Sequence, residues 1–513
     1  MKRNSMLGAG LFLVGMFFFG AVLSARGDER DCDNKSGGGG DEAGCGCPRR
    51  HAHPRMLFVS AASDPGGDGT DEHPYQRITD ALDRARELRA ETDAPIIVNV
   101  APGTYVGSYR TTGPTIEALP WILNIPNFVF RGSTQLVVDA NGLPTGEIAS
   151  GATILTHPQD ETLEFDAFFI YIGAAGNKII LPDGTIGPDP ATITSGENVC
   201  VEGFIFSHVG GNGVGADRVN NFAISGNAGH GTNSMPLAGG IITRGANGVI
   251  QGNFMTSEIG GAIVQGGNAT FPANVLVVGN RFNQNGNGII AKGHPWGVQC
   301  VVAPANPLAC VPFTDVFETL SMEVSGNDLS DNNAPASAYP SVGQGIKMGV
   351  VFDHASPPSP NPPCTDPRLV IRGNIDAFIH DNRINRNDVG VVVDGNYPYR
   401  TQNRIADCRL FEGRIDVTFQ NNDVTGNSRT PLALTFTRNI AANDPMRLDP
   451  TLFATSFQYV QNSFFSVSDP DGSLVGAWLD HPVTDPIDGR TLNNRLFLNG
   501  DEMPPPIRTY PNP

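Results

Sequence analysis

The chain has 513 residues, of which 40% are hydrophobic, with 61 glycines, 40 prolines and a formal net charge of −18. This apolar content excludes a chain that is disordered throughout, and the many glycines and prolines indicate frequent turns. The negative charge argues against a nucleic-acid partner, because phosphate binding needs clustered cations. It also argues against a strongly anionic glycan, unless a bound cation screens the contact.

The first 25 residues have the pattern of an export signal. A basic start precedes an apolar run from Met6 to about Leu23, and Ser24-Ala25 supplies small residues for cleavage. We therefore expect residues 1–25 to be a cleaved signal peptide, and the mature protein to be secreted, periplasmic or on the cell surface. The alternative is an uncleaved anchor, since the run is nearly long enough to cross a bilayer. Membrane contact would then be limited to this segment.

The eight cysteines fit an oxidising compartment. Three of them fall in the Gly/Asp-rich segment 26–54, which lacks the paired CxxC of a zinc site and is expected to be a flexible linker, at Cys32, Cys45 and Cys47. The later cysteines could form two bridges within inserts, Cys300–Cys310 and Cys364–Cys408. Cys200 lies in the apolar strand NVCVEGFIF, where we expect a free buried thiol.

Residues 55–105 predict a strand, an acidic loop, a helix, a second strand and a turn. The helix is expected near 75–90, with Pro74 in its first turn and an apolar face made of Ile78, Ala81, Leu82, Ala85 and Leu88. In the acidic loop SDPGGDGTDE, the spacing of Asp64, Asp68 and Asp71 is one with which carboxylates can surround Ca²⁺. The loop lacks the complete calcium-binding pattern, so an ordinary acidic surface loop is the alternative.

A phrase built around Gly-Asn or Asp-Asn recurs along the rest of the chain, and most copies continue into glycine and β-branched residues. The first copies are 26 or 27 residues apart, at Asn227, Asn253 and Asn280. Five copies define a predicted asparagine ladder, Asn253, Asn280, Asn327, Asn382 and Asn422. In four copies a second asparagine follows five residues later, at Asn285, Asn332, Asn387 and Asn427.

A period in the twenties with short strands predicts a solenoid, whose coils stack at about 4.8 Å and align equivalent side chains. We expect each ladder asparagine to take the left-handed conformation at a bend and to hydrogen-bond the asparagine of the next coil. The predicted fold is all-β, a single-stranded right-handed parallel β-helix over 55–440. The helix near 75–90 would cap its open end. Residues 441–513 are expected to form final irregular coils and a Pro-rich tail.

The opening phrase and the coils from about 56 to 440 resemble many secreted proteins of the pectin-lyase-like superfamily. In those proteins a phrase of the form VSxxGxDxxxGT, followed by a helix and PGTY, precedes β-helix repeats; here it reads VSAASDPGGDGT and later APGTY. The resemblance implies the β-helix fold. It is weak for activity, because members of this superfamily differ in what they do.

The residue before the glycine that closes each apolar run is polar in several copies. These positions are Arg244, Gln265, Lys292 and Asp394, and Lys347 lies one or two steps off the same register. Alternation sends their neighbours inward, as the pairs Ile241/Thr243, Ala262/Val264, Ile289/Ala291 and Val391/Val393. The sequence therefore predicts an outward column of polar side chains, one coil apart.

Aromatic residues occur in the loops that leave this column, at Trp296, Tyr397 and Tyr399, and His294 lies beside the first. Sugar rings stack on aromatic side chains while their hydroxyl groups bind polar ones, so we predict that Gln265, Trp296, Tyr397 and Tyr399 bind a polysaccharide. The alternative is a solvated face, because outward residues of a solenoid are mostly polar.

A β-eliminating polysaccharide lyase needs a base that removes the proton beside the uronate carboxylate. Lys292, Lys347 or Arg244 could serve as the base, with Asp394 and Asp353 as supporting acids and Ca²⁺ neutralising the substrate carboxylate. A hydrolase would instead need two facing carboxylates. The fragments GHG at His230 and GIK at Lys347 are similar to pieces of polygalacturonase motifs, but the aspartate motifs of that family are missing and chance explains the match.

Two hypotheses of function follow. The first is an exported carbohydrate-active protein, a polysaccharide lyase before a hydrolase, with Lys292, Lys347, Arg244 and Asp394 as its catalytic candidates. The second is a non-catalytic surface or matrix protein that binds glycan or forms structure. In both cases we expect a monomer, a polysaccharide or cell-surface glycan as partner, and Ca²⁺ as the one cofactor that the patterns suggest.

Overall fold

The computed structural model describes residues 53–110, 112–158, 168–173, 178–180, 186–188, and 197–293 with short gaps at 210–211, 232–238, 258–259 and 268–270. Beyond these it describes 316–333, 343–349, 369–394, 409–427, 430–435 and five short strands up to Met503. Within the described ranges the chain is almost entirely β-strand, with one α-helix. No helix in these ranges is long and apolar enough to span a membrane.

The elements are short and closely spaced, as the repeat predicts. The first third holds β1 (Arg55–Val59), α1 (Ile78–Glu91), β2 (Ile96–Val100), β3 (Gly103–Ser108), β4 (Ile116–Ala118), β5 (Trp121–Leu123), β6 (Phe128–Gly132), β7 (Gln135–Val138), β8 (Pro144–Ser150), β9 (Thr153–Thr156), β10 (Phe168–Gly173), β11 (Lys178–Ile180) and β12 (Ile186–Pro188). The middle holds β13 (Glu197–Glu202), β14 (Ile205–Val209), β15 (Asn212–Asp217), β16 (Asn220–Ser225), β17 (Ala228–Gly231), β18 (Gly239–Arg244), β19 (Asn247–Gln251), β20 (Phe254–Thr256), β21 (Gly260–Gln265), β22 (Ala273–Val278), β23 (Arg281–Asn283) and β24 (Asn287–Lys292). The last third holds β25 (Val316–Ser325), β26 (Gln344–Gly349), β27 (Leu369–His380), β28 (Val389–Asp394), β29 (Arg409–Gln420), β30 (Asp423–Asn427), β31 (Thr430–Thr435), β32 (Phe453–Val460), β33 (Ser463–Ser466), β34 (Trp478–Leu479), β35 (Asn493–Leu498) and β36 (Asp501–Met503).

Three sheets of mainly parallel strands form the solenoid in the described ranges. We call the 13-stranded sheet A, the 7-stranded sheet B and the 10-stranded sheet C. The chain visits them in the order C, A, B: β18 lies in sheet C, β19 in sheet A, β20 in sheet B, and β21 returns to sheet C beside β18. The pairings between successive coils are parallel, for example β18 with β21 and β19 with β22. This path is a parallel β-helix, and it takes the right-handed sense that nearly all parallel crossovers have.

The predicted asparagine ladder lies at the corner between sheets A and B. Asn253 Nδ2 donates to Asn280 Oδ1 at 3.0 Å, and Asn280 Nδ2 donates to Asn327 Oδ1 at 2.9 Å. The same contact joins Asn327 to Asn382 and Asn382 to Asn422, each at 2.9 Å. The prediction that these asparagines stack is confirmed, and the ladder also includes the weaker copy, Asn227.

The left-handed bend at this corner belongs to the residue before each ladder asparagine. Gly252, Gly279 and Gly326 have φ values of 62°, 62° and 63°, whereas Asp381 and Asn421 occupy the same place at 55° and 52°. The expectation that the ladder asparagine itself would be left-handed is wrong. Its side chain has to reach inward to the neighbouring coil, so the preceding residue takes the bend, and glycine or a short polar residue does so at least cost.

The second asparagine of the repeat forms a further ladder. The backbone N–H of Asn285 donates to Asn332 Oδ1 at 3.0 Å, that of Asn332 to Asn387 Oδ1 at 2.9 Å, and that of Asn387 to Asn427 Oδ1 at 2.9 Å. All four side chains are buried. A spacing of five residues thus places the two asparagines of each coil at the two ends of the short strand in sheet B.

The core lies inside the three sheets and follows the predicted alternation. Ile241, Ala262, Ile289 and Val391 are all 0% exposed, and they pack in one cluster that continues along the solenoid. Phenylalanines fill the wider parts of this interior, at Phe128, Phe130, Phe204, Phe206, Phe222 and Phe282. Burying a side chain of this size contributes about 1.5–3 kcal/mol, so the interior supplies most of the driving force for stacking the coils.

The predicted helix near 75–90 is α1, whose apolar face belongs to the same core. Ile78, Ala81, Leu82 and Ala85 are buried against the first strands. Its N-terminus is held by the buried Glu117 of β4, whose carboxylate accepts from the Ile78 N–H at 3.0 Å and the Thr79 N–H at 2.6 Å. A carboxylate at this end of a helix is stabilised by the helix dipole. That α1 caps the open end of the solenoid stays a prediction.

Cys200 takes part in a disulfide bond, so the prediction of a free buried thiol is wrong. Val199 and Val201 beside it point into the main core, and alternation sends the Cys200 sulfur to the outer side of sheet A. There it can meet another segment of the chain. An apolar strand does not by itself show on which side of the sheet its cysteine lies.

Candidate functional site

The polar residues predicted to form an outward column lie in one row of sheet C. Arg244 pairs with Gln265, and Gln265 with Lys292. Lys292 then pairs with Gly349, which pairs with Asp394, so a glycine interrupts the row. Neighbouring strands lie about 4.8 Å apart, which sets the rise along the row. We call this row the sheet C column: Asp217, Arg244, Gln265, Lys292, Gly349 and Asp394.

Lys347 lies on the same outer face, in the neighbouring row. It pairs with Ile290, two positions before Lys292 along the strand direction. The rest of that row is apolar: Ile242 and Ile263 are each 1% exposed and pack with Ile290 and Phe168 in a small cluster separate from the main core. The register thus brings three cationic side chains, Arg244, Lys292 and Lys347, onto one face over four successive coils.

The polar residues on the outer face of sheet C are buried, which does not fit the alternative of a solvated face. Arg244 is 7% exposed, Lys347 5%, and Gln265 and Lys292 2% each. Alternation along a strand fixes the side of the sheet to which a residue points, but not what lies beyond it. Burying charged groups is costly unless they are paired, so we expect Arg244, Lys292 and Lys347 to be held by groups close to them.

Asp217 and Tyr171 belong to this face, although no sequence pattern singled them out. The Tyr171 hydroxyl donates to Asp217 Oδ2 at 2.7 Å, and Arg218 Nε lies 3.7 Å from Asp217 Oδ1. Burial, together with the Asp217 negative charge, raises the pKa of Tyr171 well above its usual value, so the phenol stays protonated. Asp217 pairs with Arg244 in the next coil, and lining up GADR with ITRG would have placed it in the column.

Arg244 also packs against an aromatic ring. Its guanidinium carbon lies 5.9 Å from the centroid of the Phe168 ring, within the range of a cation–π contact. Tyr171 meets the same ring edge-on, with the centroids 5.3 Å apart. The upper end of the face, from Phe168 to Arg244, is therefore a packed group of aromatic rings and paired charges.

The two fragments that are similar to polygalacturonase motifs lie on different sheets. His230 is in β17 of sheet B, with its ring 5.8 Å from that of Phe254, whereas Lys347 is in β26 of sheet C. Partial burial lowers the pKa of His230. Residues on separate faces of a solenoid cannot act together on one bond, which supports chance as the explanation of this match.

The predicted loop residues lie outside the part of the chain that the structure describes. These are His294, Trp296, Asp353, His354, Tyr397 and Tyr399. Asp394 lies in β28, and the structure describes its backbone but not its side chain. Their proposed roles in binding and catalysis stay predictions.

The acidic loop near the N-terminus is closed by its own hydrogen bonds. Asp68 Oδ1 accepts from the Thr70 N–H at 3.0 Å and from the Thr70 hydroxyl at 2.8 Å, and these bonds lower the pKa of Asp68. In the described ranges no three His, Cys, Asp or Glu side chains are grouped as metal ligands. Asp64, Asp68 and Asp71 lie within these ranges, and calcium binding by this loop stays a prediction.

No protein-family model and no curated protein matches the chain. Among solved structures it is similar to pectate lyase Pel9A, with a TM-score of 0.35 and 10% identity over 85% of this chain and 81% of that chain. A rhamnogalacturonan lyase has a TM-score of 0.33 and 12% identity, over 86% and 96% of the two chains. The Family 28 exopolygalacturonase of Yersinia enterocolitica has a TM-score of 0.30 and 11% identity, over 88% and 79%.

The strand order and the parallel pairing of sheets A, B and C give the fold independently of these similarities. The fold is a right-handed parallel β-helix. In this β-helix the asparagine ladders stand between sheets A and B and at the far end of sheet B, and the cationic side chains lie on sheet C.

Proposed function

We propose that this exported β-helix protein acts on or binds an acidic polysaccharide through the outer face of sheet C. One observation carries the proposal: Arg244, Lys292 and Lys347 share that face, in a chain whose net charge is −18. Cations gathered at one place in an acidic protein create a local site for carboxylate groups. The coil spacing offers such a chain one contact about every 4.8 Å along its length.

The reaction that suits this group of side chains is β-elimination of a uronide. A base removes the proton next to the carboxylate, the bond to the leaving sugar oxygen breaks, that oxygen takes up a proton, and a carbon–carbon double bond remains. Lys292 or Lys347 is the proposed base, and Arg244 would stabilise the charge that develops on the carboxylate. Tyr171 is not the proton donor, because its strand lies four strand spacings, about 19 Å, from that of Lys292, so the leaving oxygen takes its proton from water or from the protonated lysine.

Should Ca²⁺ bind, it would need oxygen ligands, and Asp394 is the carboxylate whose strand position is nearest to Lys292. Calcium would then supply positive charge beside the substrate carboxylate.

A second function is supported by the burial of the same residues. Side chains that are 2–7% exposed are characteristic of a packed layer, and a packed layer fits a non-catalytic structural or glycan-retaining protein. In that case the cations hold the surrounding segments in place. The two functions differ in whether Lys292 and Lys347 meet a substrate at all.

The deciding experiment is a panel of acidic and neutral polysaccharides, incubated with the purified protein with and without Ca²⁺. Elimination produces an unsaturated sugar, which is read as a rise in ultraviolet absorbance. We expect a signal on at least one uronide-containing polymer and its loss in Lys292→Met and Lys347→Met. Arg131→Met is the matched control, since Arg131 is a cation on the outer side of sheet A and pairs with Glu202.

Thermal unfolding followed by circular dichroism must show that each variant is folded before its activity is compared. A panel without unsaturated product, with glycan retention that survives both lysine substitutions, would favour the structural function. A signal that survives both substitutions would remove the lysines from the mechanism.

A further inference from the structure

Asparagine followed by glycine occurs at several places in the chain. Asparagine is among the thermolabile residues, and a following glycine speeds the loss of its side-chain amide, because no side chain hinders attack by the glycine nitrogen. The described ranges contain five such pairs, Asn141-Gly142, Asn212-Gly213, Asn247-Gly248, Asn285-Gly286 and Asn287-Gly288. They differ in whether the surrounding structure leaves room for this reaction.

Three of the four pairs that lie in the coils have buried asparagines. Asn212 and Asn285 are 0% exposed, and Asn287 is 2% exposed. The Asn285 amide donates to the Met255 carbonyl at 3.0 Å, and Asn287 Oδ1 accepts from the Gln344 N–H at 3.4 Å. Burial and these bonds restrict the three side chains, so they do not turn freely toward the nitrogen of the following glycine.

The glycines of the coil pairs are packed against the backbone of neighbouring coils. A Cβ placed on Gly213, Gly248 or Gly288 would lie 2.2–2.7 Å from a backbone oxygen of a neighbouring strand. This includes the pair of Asn247, the one coil asparagine of the set that is only partly buried. The ring that precedes loss of the amide forms only if the backbone can bend, and close packing of the coils opposes that bending.

Asn141 and Gly142 are in the opposite situation, at the exposed tip of the β7–β8 hairpin. Gly142 has a φ of 79°, and no atom outside its chain neighbours lies within 4 Å of the place that a Cβ would take. Its N–H donates to the Asp139 carbonyl at 2.9 Å and so closes the turn. The Gly142 nitrogen therefore has to give up this turn hydrogen bond, and the ring then forms in open space.

We propose that Asn141 is a site of spontaneous deamidation, and that its product loosens the β7–β8 hairpin from sheet B. The Gly142 nitrogen loses its proton to solvent and bonds to Asn141 Cγ, the bond from Cγ to the side-chain nitrogen breaks, and ammonia leaves. Water then opens the resulting five-membered imide at either of its two carbonyls. The products are aspartate, and isoaspartate with one more carbon in the main chain.

The hairpin contacts sheet B through its turn and its second strand. Asp139 forms an ion pair with Arg281 of β23, and a Cβ placed on Gly146 would come within 2.7 Å of the Phe254 ring of β20. The hairpin also has an exposed apolar side, since Val138 and Ile148 are 46% and 47% exposed. Its attachment to the solenoid therefore depends strongly on the position of Asp139.

The modification would act on Asp139 directly. Asp139 Oδ1 accepts from the Asn141 N–H at 2.8 Å and from the Leu143 N–H at 3.1 Å. Burial raises the pKa of Asp139, but these two bonds and Arg281 outweigh it and lower the pKa, so the carboxylate is ionised. Isoaspartate would lengthen the main chain between the two N–H groups and place a second negative charge beside Asp139. Arg281 would then be left to Asp328, whose Oδ2 lies 3.3 Å from its Nε.

This proposal concerns sheet B, and it holds whichever function the cationic face of sheet C has. It also predicts that the asparagine ladders keep their amides as the protein ages, because their side chains are enclosed between coils.

The test is peptide mapping of the full-length protein after storage at pH 6 and at pH 9, with a fresh sample as reference. Each sample is reduced, alkylated and digested with trypsin. Asn141 falls in peptide 132–178, Asn212 in 179–218, Asn247 in 245–281, and Asn285 with Asn287 in 282–292. Exchange of NH₂ for OH makes a peptide one mass unit heavier. We expect this gain in 132–178, located at Asn141 by fragmentation, and faster at pH 9 because the attacking nitrogen must lose its proton.

Two controls accompany the storage. Asn141→Gln keeps an amide at the tip but would need a larger ring, so its peptide 132–178 should keep its mass at position 141. Wild-type protein stored unfolded in urea should gain mass in 179–218, 245–281 and 282–292 as well, because the coils no longer protect their asparagines. The site is wrong if Asn141 stays unchanged in the folded protein while the unfolded protein reacts, or if the coil peptides of the folded protein gain mass as fast as 132–178.

Hydrogen exchange tests the loosening separately. The amides of β7 and β8 should exchange faster in stored wild type than in stored Asn141→Gln, whereas those of peptide 282–292 should exchange equally in both. Equal exchange in β7 and β8, with Asn141 converted, would overturn the proposed effect on the hairpin.

Discussion

The asparagine corner and the outer face of sheet C both bury a row of polar side chains, but they satisfy them differently. At the corner, Asn280 accepts from the backbone and side chain of Asn253 and donates to Asn327 and to the Ile250 carbonyl. Every partner is a coil neighbour in the same repeat. On sheet C the side-chain type changes at each coil, and Gln265 Oε1 accepts no hydrogen bond within the described ranges.

This difference shows which buried polar rows a repeat can encode. A row that bonds only to its own copies needs the same residue in every coil, and a recurring asparagine is the result. A row held by segments from elsewhere needs a different partner at each position, so its residues vary. The asparagine corner should therefore be an essential part of stability, and the column should be more tolerant of apolar replacement.

The largest effect is expected from Asn280→Leu, a change that keeps the shape of the side chain. It leaves the Asn253 N–H without its acceptor, and it removes the amide that donates to Asn327 Oδ1 and to the Ile250 carbonyl, at a position that is 0% exposed. Buried groups that lose their partners cost about 1–3 kcal/mol each, so we expect a loss of about 3–5 kcal/mol in the free energy of unfolding. Urea denaturation followed by circular dichroism measures it.

Asn141→Ala is the control for this change, because Asn141 is an exposed asparagine in the turn between β7 and β8. We expect Asn141→Ala to lower the free energy of unfolding by less than about 0.5 kcal/mol. If Asn280→Leu lowers the free energy of unfolding no more than the control does, the ladder sets the alignment of the coils but contributes little to stability.

The second largest effect on stability is expected at Tyr105, whose buried hydroxyl has its hydrogen-bond partners within the first coils. Its hydroxyl accepts from the Ala61 N–H at 3.2 Å and donates to the Ala101 carbonyl at 3.1 Å, and burial raises its pKa to about 12. The neutral phenol is the form that folding favours. Its contribution is complete below pH 10, the usual pKa, and is lost as pH rises from 10 to about 12.

Two pKa units correspond to about 2–3 kcal/mol. We therefore expect the difference in unfolding free energy between wild type and Tyr105→Phe to shrink by about that amount between pH 10 and pH 12. Urea titrations of both proteins at four pH values in this range would show it. A difference that does not vary with pH would mean that the Tyr105 phenol ionises as easily when folded as when unfolded.

A smaller effect is expected from Gln265→Met, the counterpart of Asn280→Leu on sheet C. Gln265 is 2% exposed, and methionine has nearly the same shape. The Gln265 Oε1 accepts no hydrogen bond in the described part of the chain, so its replacement leaves few buried groups without a hydrogen-bond partner. We therefore expect the free energy of unfolding to change by less than about 1 kcal/mol. A loss as large as that of Asn280→Leu would contradict the comparison, because the column would then be as closed a network as the ladder.

The parts of the structure that repeat were the parts that sequence could predict. The positions of Asn253 and Asn280, the inward direction of Ile289 and the alignment of Arg244 with Gln265 follow from spacing alone, because each coil repeats the geometry of the one before. The helix near 75–90 followed from its apolar periodicity.

Features that join distant segments could not be predicted in this way. The Glu117 carboxylate at the start of α1 comes from a strand 39 residues from Ile78, and Tyr171 reaches Asp217 across 46 residues. Cys200 could be placed in a strand, but its partner depends on a contact that no local pattern records. The cover over the outer face of sheet C is the same kind of feature, and it decides whether Lys292 meets a substrate.

The smallest effect is expected at the exposed end of the second asparagine corner, from Arg386→Ala. Arg386 Nε donates to Asp331 Oδ1 at 2.6 Å in the coil before, but the two side chains are 52% and 36% exposed. Water and salt weaken such a pair, so we expect a loss of about 0.5 kcal/mol or less, which disappears in 1 M salt where charges are screened within about 3 Å. Arg386 lies next to Asn387, whose side-chain oxygen accepts a hydrogen bond from the Asn332 N–H in the buried ladder. A loss of several kcal/mol that persists in 1 M salt would contradict this expectation. It would mean that the exposed ion pairs at the rim of the corner, and not its buried amides, hold the coils together.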